Sequence, residues 1–321
     1  MVCQEEPLVA QITQLYEKIS RLESLEPSID VNTLFTQLVN TCMPPSPIDI
    51  TKLCKSVQEM RSKLIRLCGE AEGLLESHYS TILGSFRSPL QHLTIFPYYN
   101  NYIKLSHLEF NILSQHCTRV PKRVAFIGSG PLPLTSIVLA SNHLTGTSFH
   151  NYDIDPAANE LAASLVPSDP DLSQRMVFYT NDVMDVRDEL GDYDVVFLAA
   201  LVGMSKEEKV RVVDHLEKYM ACDALLMLRS AHGARAFLYP VIDPDDLHGF
   251  EVLSVFHPTD EVINSVVIAR RTGTTNRRQT RSYQDLAPMV HPSCKCSDFK
   301  AFNPMNHGNA IEELTINEDK H

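Results

Sequence analysis

A strand that runs into a glycine-rich turn is the first stretch of the sequence whose residue types could do chemistry. In "RVAFIGSGPLPLTS" (residues 123–136), Gly128, Ser129 and Gly130 directly follow an apolar run. Glycines at such a turn allow a tight bend and a close approach of the backbone to a ligand. Turns of this kind hold the ribose or the phosphates of a nucleotide. The stretch therefore predicts a nucleotide-type binding site.

Two acidic residues end the next two predicted strands and extend this pattern. Asp153 ends "FHNYD", 23 residues after Gly130, where a carboxylate can accept hydrogen bonds from both ribose hydroxyls. Asp182 ends "YTND", a position suited to the amino group of an adenine. Each has a structural alternative. Asp153 could cap a helix, although Asp155 before Pro156 is the better cap, and Asp182 could be a turn residue.

Residues around the turn distinguish S-adenosylmethionine (SAM) from NAD as the ligand. Pro133 occupies the position where a dinucleotide loop has its last glycine, and a pyrophosphate on the helix N-terminus favours a small residue there. SAM has no phosphate, so the turn favours SAM. Methyltransferases usually carry an acid two residues before the first glycine, but this chain has Phe126. We therefore expect the methionine half to lie differently and to present its γ-carbon to a nucleophile.

Two predicted domains must position these residues. Residues 1–120 show apolar positions at helical spacing, with helices over about 8–22, 31–41 and 49–79 and two more pieces hinged at Pro97, which indicates a helical bundle. Residues 121–271 alternate strands and helices and are predicted to be the SAM-binding domain. Residues 272–321 are polar and are predicted to be mostly a disordered tail.

Seven short apolar runs define the sheet of the second domain, with helical patterns between the first five: 123–127, 147–152, 175–180, 193–199, 222–229, 250–256 and 262–269. Ser205 and Glu208 form a capping-box pattern before one of these helices. Only five residues separate the last two runs, so they are expected to pair as an antiparallel hairpin at the sheet edge. This pattern resembles the Rossmann-like architecture of class I SAM-dependent methyltransferases.

Composition excludes several function classes. The chain of 321 residues has a formal net charge of −12, which argues against a nucleic-acid binder. It contains no apolar run long enough to span a membrane, and its acidic N-terminus is unlike a targeting segment, so we expect a cytoplasmic protein. The eight cysteines are expected to be reduced, and Cys294 and Cys296 are only a weak metal signal. No feature specifies an oligomeric state.

Four further stretches carry a resemblance to a known family. "FIGSGPLPLTS", "NYDIDPAAN", "FPYYNNY" and "GLLESHY" look like the nicotianamine synthases of plants, and the similarity extends to about residue 271. The resemblance implies an enzyme that joins three SAM molecules by transferring 3-amino-3-carboxypropyl groups and closing an azetidine ring, with release of three 5′-methylthioadenosine molecules. It implies a product that chelates iron, zinc, copper and nickel, and an enzyme that needs no metal.

The resemblance also implies two catalytic residues. Archaeal relatives place a glutamate and a tyrosine, 26 residues apart, in the reaction chamber, and Glu76 and Tyr102 have that spacing here. A carboxylate can orient a substrate ammonium and help to remove its proton, and a phenol can relay that proton. Without the family, Glu76 would be interpreted as a solvated helix face and Tyr102 as a core aromatic. Arg229, after the fifth strand, is a weaker candidate for holding a substrate carboxylate.

Two alternative functions remain open at this point. One is a SAM-dependent methyltransferase acting on a small amine, which Phe126 and the absence of an NPPY-type loop in "FLAALVG" disfavour. The other is a non-catalytic SAM-binding module, which the presence of both Glu76 and Tyr102 disfavours.

Overall fold

The fold was obtained as a computed structural model, and the structure describes residues 7–273. Four α-helices precede the first strand: α1 (Pro7–Ile19), α2 (Ile29–Cys42), α3 (Lys55–Gly84) and α4 (Tyr99–His116). The predicted stripe of α3 is confirmed, because Val57, Met60 and Leu64 are buried. Its predicted start at residue 49 was wrong: the Asp49 side chain accepts a hydrogen bond from the Thr51 amide and caps a separate 3₁₀ turn.

All seven predicted strands are present in one sheet: β1 (Arg123–Ile127), β2 (Ser148–Asp153), β3 (Met176–Thr180), β4 (Val195–Leu198), β5 (Leu225–Ser230), β6 (Phe250–Phe256) and β7 (Ser265–Arg271). Their spatial order is β3-β2-β1-β4-β5-β7-β6. The first five are parallel, while β7 runs antiparallel to both β5 and β6. The predicted class I architecture and its terminal hairpin are therefore confirmed.

The connections between the strands differ in part from the prediction. They contain α5 (Leu134–Val138), α6 (Pro156–Ser164), α7 (Leu172–Arg175) and α8 (Lys206–Tyr219). Two 3₁₀ turns, Val183–Asp185 and Asp188–Asp192, link β3 to β4, so the helix expected there was wrong. α8 begins with the predicted capping box: Ser205 Oγ accepts from the Glu208 amide, and the Glu208 carboxylate accepts from the Ser205 amide, both at 3.1 Å.

Separate apolar clusters cover the two faces of the sheet and join the first three helices. One cluster packs Phe197 and Phe126 against α4, and another packs Val196 against α8. The third unites α1, α2 and α3 with Phe237, which follows β5. The helical bundle therefore packs against the segment that follows β5, on the side of the carboxyl ends of the parallel strands.

Three further sequence predictions concern membrane spans, the cysteines and the C-terminal tail. None of the helices within residues 7–273 has the length and apolar content of a membrane span. The five cysteines in this range are not in disulfides; two are buried and Cys222 is exposed. Cys294, Cys296 and the predicted tail from residue 274 lie outside the described residues.

A fully buried lysine connects α8 to the end of β4. Lys209 is 0% exposed, and its ammonium donates to the carbonyl oxygens of Ala199 at 3.3 Å and Ala200 at 2.8 Å. Burial lowers its pKa to about 7. Gly203 passes so close to Lys209 that a Cβ there would lie 2.7 Å from the lysine backbone.

This lysine predicts a specific pH dependence of stability. Between pH 7 and about 10.4, the unfolded chain keeps the Lys209 proton and the folded protein loses it. The unfolded state then binds more protons, so this group makes the free energy of unfolding rise with pH. Urea unfolding at pH 7, 8 and 9 should show that Lys209→Met, which keeps the length without the charge, loses this rise. The exposed Lys218→Met should keep it. Equal pH slopes in all three proteins would contradict the assignment.

Candidate functional site

The glycine turn after β1 has the backbone shape expected of a ligand-binding loop. Gly128 and Gly130 have φ angles of 77° and 66°, which side-chain-bearing residues rarely adopt. A Cβ at Gly128 would lie 2.3 Å from Val202. The amides of Gly128 and Ser129 both donate to the Tyr152 carbonyl, which joins the turn to β2. Pro133 precedes α5 as its N-cap residue and is not within its first turn.

Asp153 holds this turn from the end of β2. One carboxylate oxygen accepts from the Gly130 amide at 2.8 Å, and the other accepts from the Asp155 amide at 3.0 Å. Asp155 itself caps α6 through the Ala157 amide, so the predicted cap is confirmed and Asp153 is not that cap. Each oxygen of Asp153 keeps a further lone pair, because a carboxylate offers about four acceptor positions.

Asp182 lies after β3 on the same side of the sheet. It is exposed, and one of its oxygens accepts from the Met184 amide at 2.9 Å, which caps the following 3₁₀ turn. The structural alternative is therefore present at this residue. Its carboxylate still borders the same cavity as Gly128, Ser129 and Asp153.

Glu76 and Tyr102, from α3 and α4, meet directly. The Tyr102 hydroxyl donates to Glu76 at 2.9 Å. Glu76 is only 8% exposed, so the solvated-face interpretation is wrong. The other carboxylate oxygen of Glu76 lies so close to Gly130 that a Cβ at that glycine would be 2.8 Å away from it. On the same helix, the Ser80 hydroxyl donates to the Pro131 carbonyl at 2.7 Å. Helix α3 therefore packs its carboxylate against the glycine turn.

Two residues that the sequence did not reveal extend this pair into a network. Glu72 lies one turn before Glu76 on α3 and is 3.4 Å from the Tyr102 hydroxyl. Tyr239 lies after β5, and its hydroxyl donates to the Glu72 carboxylate at 2.8 Å. The sequence did contain one signal for Glu72. It lies four residues before Glu76 on α3, and this spacing places two like charges on one face of the helix.

Burial and charge shift the pKa values of the whole network upward. Burial raises the pKa of Glu76 well above its usual value, and the neighbouring charge of Glu72 raises it further. Burial also raises the pKa of Glu72. The pKa of Tyr102 is raised well above normal by burial and by the Glu76 charge. The phenols thus stay protonated and donate, while the glutamates are stronger bases than exposed ones.

Arg229 carries the positive charge closest to this network. Its guanidinium binds Glu109 of α4 in a bidentate pair at 2.7 and 2.9 Å and donates to Thr135 at 2.7 Å. Glu109 is 0% exposed. The ion pair with Glu109 occupies the Nε and Nη2 groups, through which a substrate carboxylate would otherwise bind in a bidentate manner. Phe126 packs beneath, with its ring centroid 5.5 Å from the guanidinium carbon. Arg229, the weaker candidate for holding a substrate carboxylate, is thus mostly engaged by the protein itself.

All these groups border one cavity of about 1020 Å³. This is at the upper limit of small-molecule sites, which range over roughly 300–1,000 Å³. Helices α2, α3 and α4 line it on one side, and the ends of β1, β2, β3, β4 and β5 line it on the other. The Ser129 hydroxyl borders it without a hydrogen-bond partner in residues 7–273. Across those residues, no group of three or more His, Cys, Asp or Glu side chains is arranged to hold a metal ion.

Comparisons with known proteins are consistent with this site. A family model described as "Nicotianamine synthase protein" matches residues 2–276. Nicotianamine synthase from Solanum lycopersicum is 64% identical over 320 residues, covering 99% of this chain and 100% of its own length. Probable nicotianamine synthase 4 from Arabidopsis thaliana is 63% identical over 298 residues, covering 92% of this chain and 91% of its own.

Solved structures show the same fold. MtNAS in complex with MTA and tNA superposes with a TM-score of 0.69 at 23% identity, covering 82% of this chain and 98% of its own. A glutamate-to-glutamine mutant of MtNAS in complex with S-adenosylmethionine gives 0.67, also at 23% identity, covering 83% of this chain and 99% of its own. Because the family model spans almost the whole described chain and the plant relatives match at full length, the chain belongs to the nicotianamine synthase family.

Proposed function

We propose that this protein makes nicotianamine from three molecules of SAM. In each step an amine nitrogen attacks the γ-carbon of a SAM methionine chain and the carbon–sulfur bond breaks. 5′-Methylthioadenosine leaves as a neutral thioether, and the attacking amine loses a proton. One step is intramolecular and closes the azetidine ring. SAM is thus a substrate that supplies both partners of the reaction, and the chemistry calls for no metal ion.

The observation that carries the proposal is the Glu76–Tyr102 pair beside the glycine turn. Glu76 lies against Gly130 and accepts a hydrogen bond from Tyr102 within the cavity bordered by Asp153. An amine is mostly protonated at neutral pH and cannot attack carbon until its proton is removed. A buried carboxylate with a raised pKa suits that task, since a base is most effective when its pKa is near the working pH.

The nucleoside lies on the side of the cavity formed by the residues after β1, β2 and β3. Asp153 binds the ribose hydroxyls with its remaining lone pairs, Asp182 accepts from the adenine amino group, and the turn at Gly128, Ser129 and Gly130 contacts the sugar. This leaves the methionine half directed to α3 and α4. Phe126 supports this direction of the methionine half. Its apolar ring packs against Arg229 and offers no carboxylate to the methionine ammonium.

The wider biological role belongs to the same proposal. We divide the chain into a helical domain (residues 1–120), a SAM-binding domain (121–271) and a tail (272–321), with Glu76 and Tyr102 in the first and the nucleoside contacts in the second. We place the enzyme in the cytoplasm, where SAM is available. Its product, with several amine and carboxylate groups, would chelate iron, zinc, copper and nickel and serve metal homeostasis.

Incubation with SAM as the only substrate tests the reaction. We expect nicotianamine and 5′-methylthioadenosine in a ratio of one to three, measured by mass spectrometry. S-adenosylhomocysteine as the main nucleoside would instead identify a methyltransferase. Binding of SAM without any turnover would identify a non-catalytic module.

Replacement of Glu76 by glutamine should separate activity from stability. Loss of the base should lower product formation by roughly 10²–10⁴-fold, while SAM affinity is retained. Because the folded-state pKa of Glu76 is raised, the folded protein binds more protons than the unfolded chain above the unfolded pKa of about 4.3. Stability therefore falls as pH rises through that window, and Glu76→Gln should be more stable than wild type at pH 7 in urea unfolding. A variant that loses both activity and stability would contradict the assignment.

The ribose contact is tested by Asp153→Ala. We expect weaker binding of both SAM and 5′-methylthioadenosine by calorimetry, because each lost charge-assisted hydrogen bond is worth about 1.5–3 kcal/mol. Asp169→Ala is the matched control: its carboxylate also accepts from two backbone amides, those of Asp171 and Leu172, but does not border the cavity. Equal affinities in the two variants would remove Asp153 from the binding site.

A further inference from the structure

The cavity is bordered by a buried amide side chain whose nitrogen has no hydrogen-bond partner among the described residues. Asn264 directly precedes β7 and borders the cavity, yet it is only 7% exposed. Its Nδ2 has no hydrogen-bond partner in the described part of the chain. Buried polar groups are nearly always paired, so an unpaired one beside a ligand cavity indicates a partner that arrives with the ligand.

The segment before Asn264 is held firmly, so the missing partner does not reflect a loose loop. Arg235 donates to the carbonyl oxygens of Pro258 and Val262, both at 2.6 Å. From the other side, Asn101 of α4 donates to the Glu261 carbonyl at 2.6 Å. Lys104 forms an ion pair with the Glu261 carboxylate. These contacts fix the backbone that carries Asn264 between β5 and α4.

Strand pairing places Asn264 beside Arg229. Arg229 pairs with Val266 across β5 and β7, and Ser230 pairs with Ser265, so Asn264 is the next residue beyond the paired end. Asn264 is two residues from Val266 and therefore diagonal to Arg229, and such diagonal neighbours lie about 7–8 Å apart. Arg229 uses Nε and Nη2 for Glu109 and Thr135, and its Nη1 makes no hydrogen bond within residues 7–273. Two sets of unused N–H donors therefore border the same part of the cavity.

The charge of the lining explains which ligand group these donors would meet. Seven acidic side chains border the cavity: Glu70, Glu72, Glu76, Asp153, Asp155, Asp182 and Glu208. Among the described residues the basic ones are only Arg211 and Arg229. An anion would be repelled almost everywhere else, whereas a guanidinium edge with an amide donor matches a carboxylate. The donors thus favour a ligand carboxylate over an amine or a hydroxyl.

Strand order decides which carboxylate this is. In the order β3-β2-β1-β4-β5-β7-β6, the proposed nucleoside contacts follow β1, β2 and β3. On the other side of β1, Arg229 lies two strands away and Asn264 lies three strands away. At the usual strand spacing, these separations are roughly 10 and 14 Å. The Glu76–Tyr102 pair lies against the turn after β1. The donors are therefore placed beyond the reacting amine, where the acceptor extends.

We propose that Asn264, together with the Nη1 edge of Arg229, binds a carboxylate of the growing aminocarboxypropyl chain that carries the attacking amine. The inference rests on the proposed function and assigns to Asn264 the placement of the acceptor. Held by its carboxylate at this end of the cavity, the chain would direct its amine to Glu76 and Tyr102.

The test compares Asn264→Leu and Asn264→Asp with Ser106→Ala. Leucine removes the donor at similar volume and aspartate adds a repulsive charge. Ser106 also has a buried unpartnered oxygen, but it does not border the cavity. Calorimetry measures the binding of nicotianamine, SAM and 5′-methylthioadenosine to each full-length protein. We expect nicotianamine to bind at least tenfold more weakly to Asn264→Leu and weaker still to Asn264→Asp. 5′-Methylthioadenosine should bind within twofold of wild type, and Ser106→Ala should bind all three ligands normally.

Three results would overturn the inference. Unchanged nicotianamine affinity in both Asn264 variants would show that the donor meets no product carboxylate. Weaker SAM with unchanged nicotianamine would assign Asn264 to the donor's carboxylate instead. Equal weakening of all three ligands would indicate a general packing defect. The proposed function fails separately: wild-type protein would then release no 5′-methylthioadenosine from SAM.

Discussion

The burial of the Glu76 carboxylate is the constraint on which the rest of the cavity depends. A carboxylate removed from water must have hydrogen-bond donors and nearby positive charge, or it takes up a proton. Tyr102 supplies the donor, and Gly130 supplies the space, because any Cβ there would contact the carboxylate. The positive φ of Gly130 and its lack of a side chain thus have two effects: they shape the turn and leave space for the Glu76 carboxylate.

A second acid beside Glu76 makes its carboxylate more basic. Glu72 raises the pKa of Glu76 by its charge, and Tyr239 holds Glu72 by a hydrogen bond. Arg229 limits this repulsion but is itself held by Glu109 in a buried pair. Burying such a pair costs desolvation free energy that its own attraction only partly offsets. The apolar clusters on both sheet faces must therefore supply the stability of the cavity walls.

The sheet topology separates the two sides of the cavity. Parallel strands direct their carboxyl ends to one edge, and the reversal of strand order at β1 opens a crevice there. In the proposed function, the nucleoside side is built from β1, β2 and β3. The proposed amine side is built from β5 and β7 together with α3 and α4. Because β7 is antiparallel, the start of this strand, with Asn264, reaches the same edge as the end of β5.

The sequence by itself determined the order of strands and helices, the glycine turn, the caps at Asp155 and Ser205, and the terminal hairpin. These features depend on periodicity and local hydrogen bonds, which neighbouring residues decide. The helical patterns failed at the start of α3, where the Asp49 side chain caps a separate 3₁₀ turn, and between β3 and β4, where two 3₁₀ turns lie. Glu76 and Tyr102 were found only through the family resemblance, since an acid on a helix looks solvated from sequence alone.

Only the tertiary structure decided which charges meet. Glu72 lies on α3, and Tyr239 lies in the segment after β5. Glu109 lies on α4 and Arg229 on β5 itself. No local sequence pattern therefore relates these four residues. The pairing of Arg229 with Glu109 and the unsatisfied amide of Asn264 likewise depend on how β5, β7 and α4 pack together. Burial sets the protonation behaviour of these groups, and burial is a property of the assembled fold that single residues do not encode.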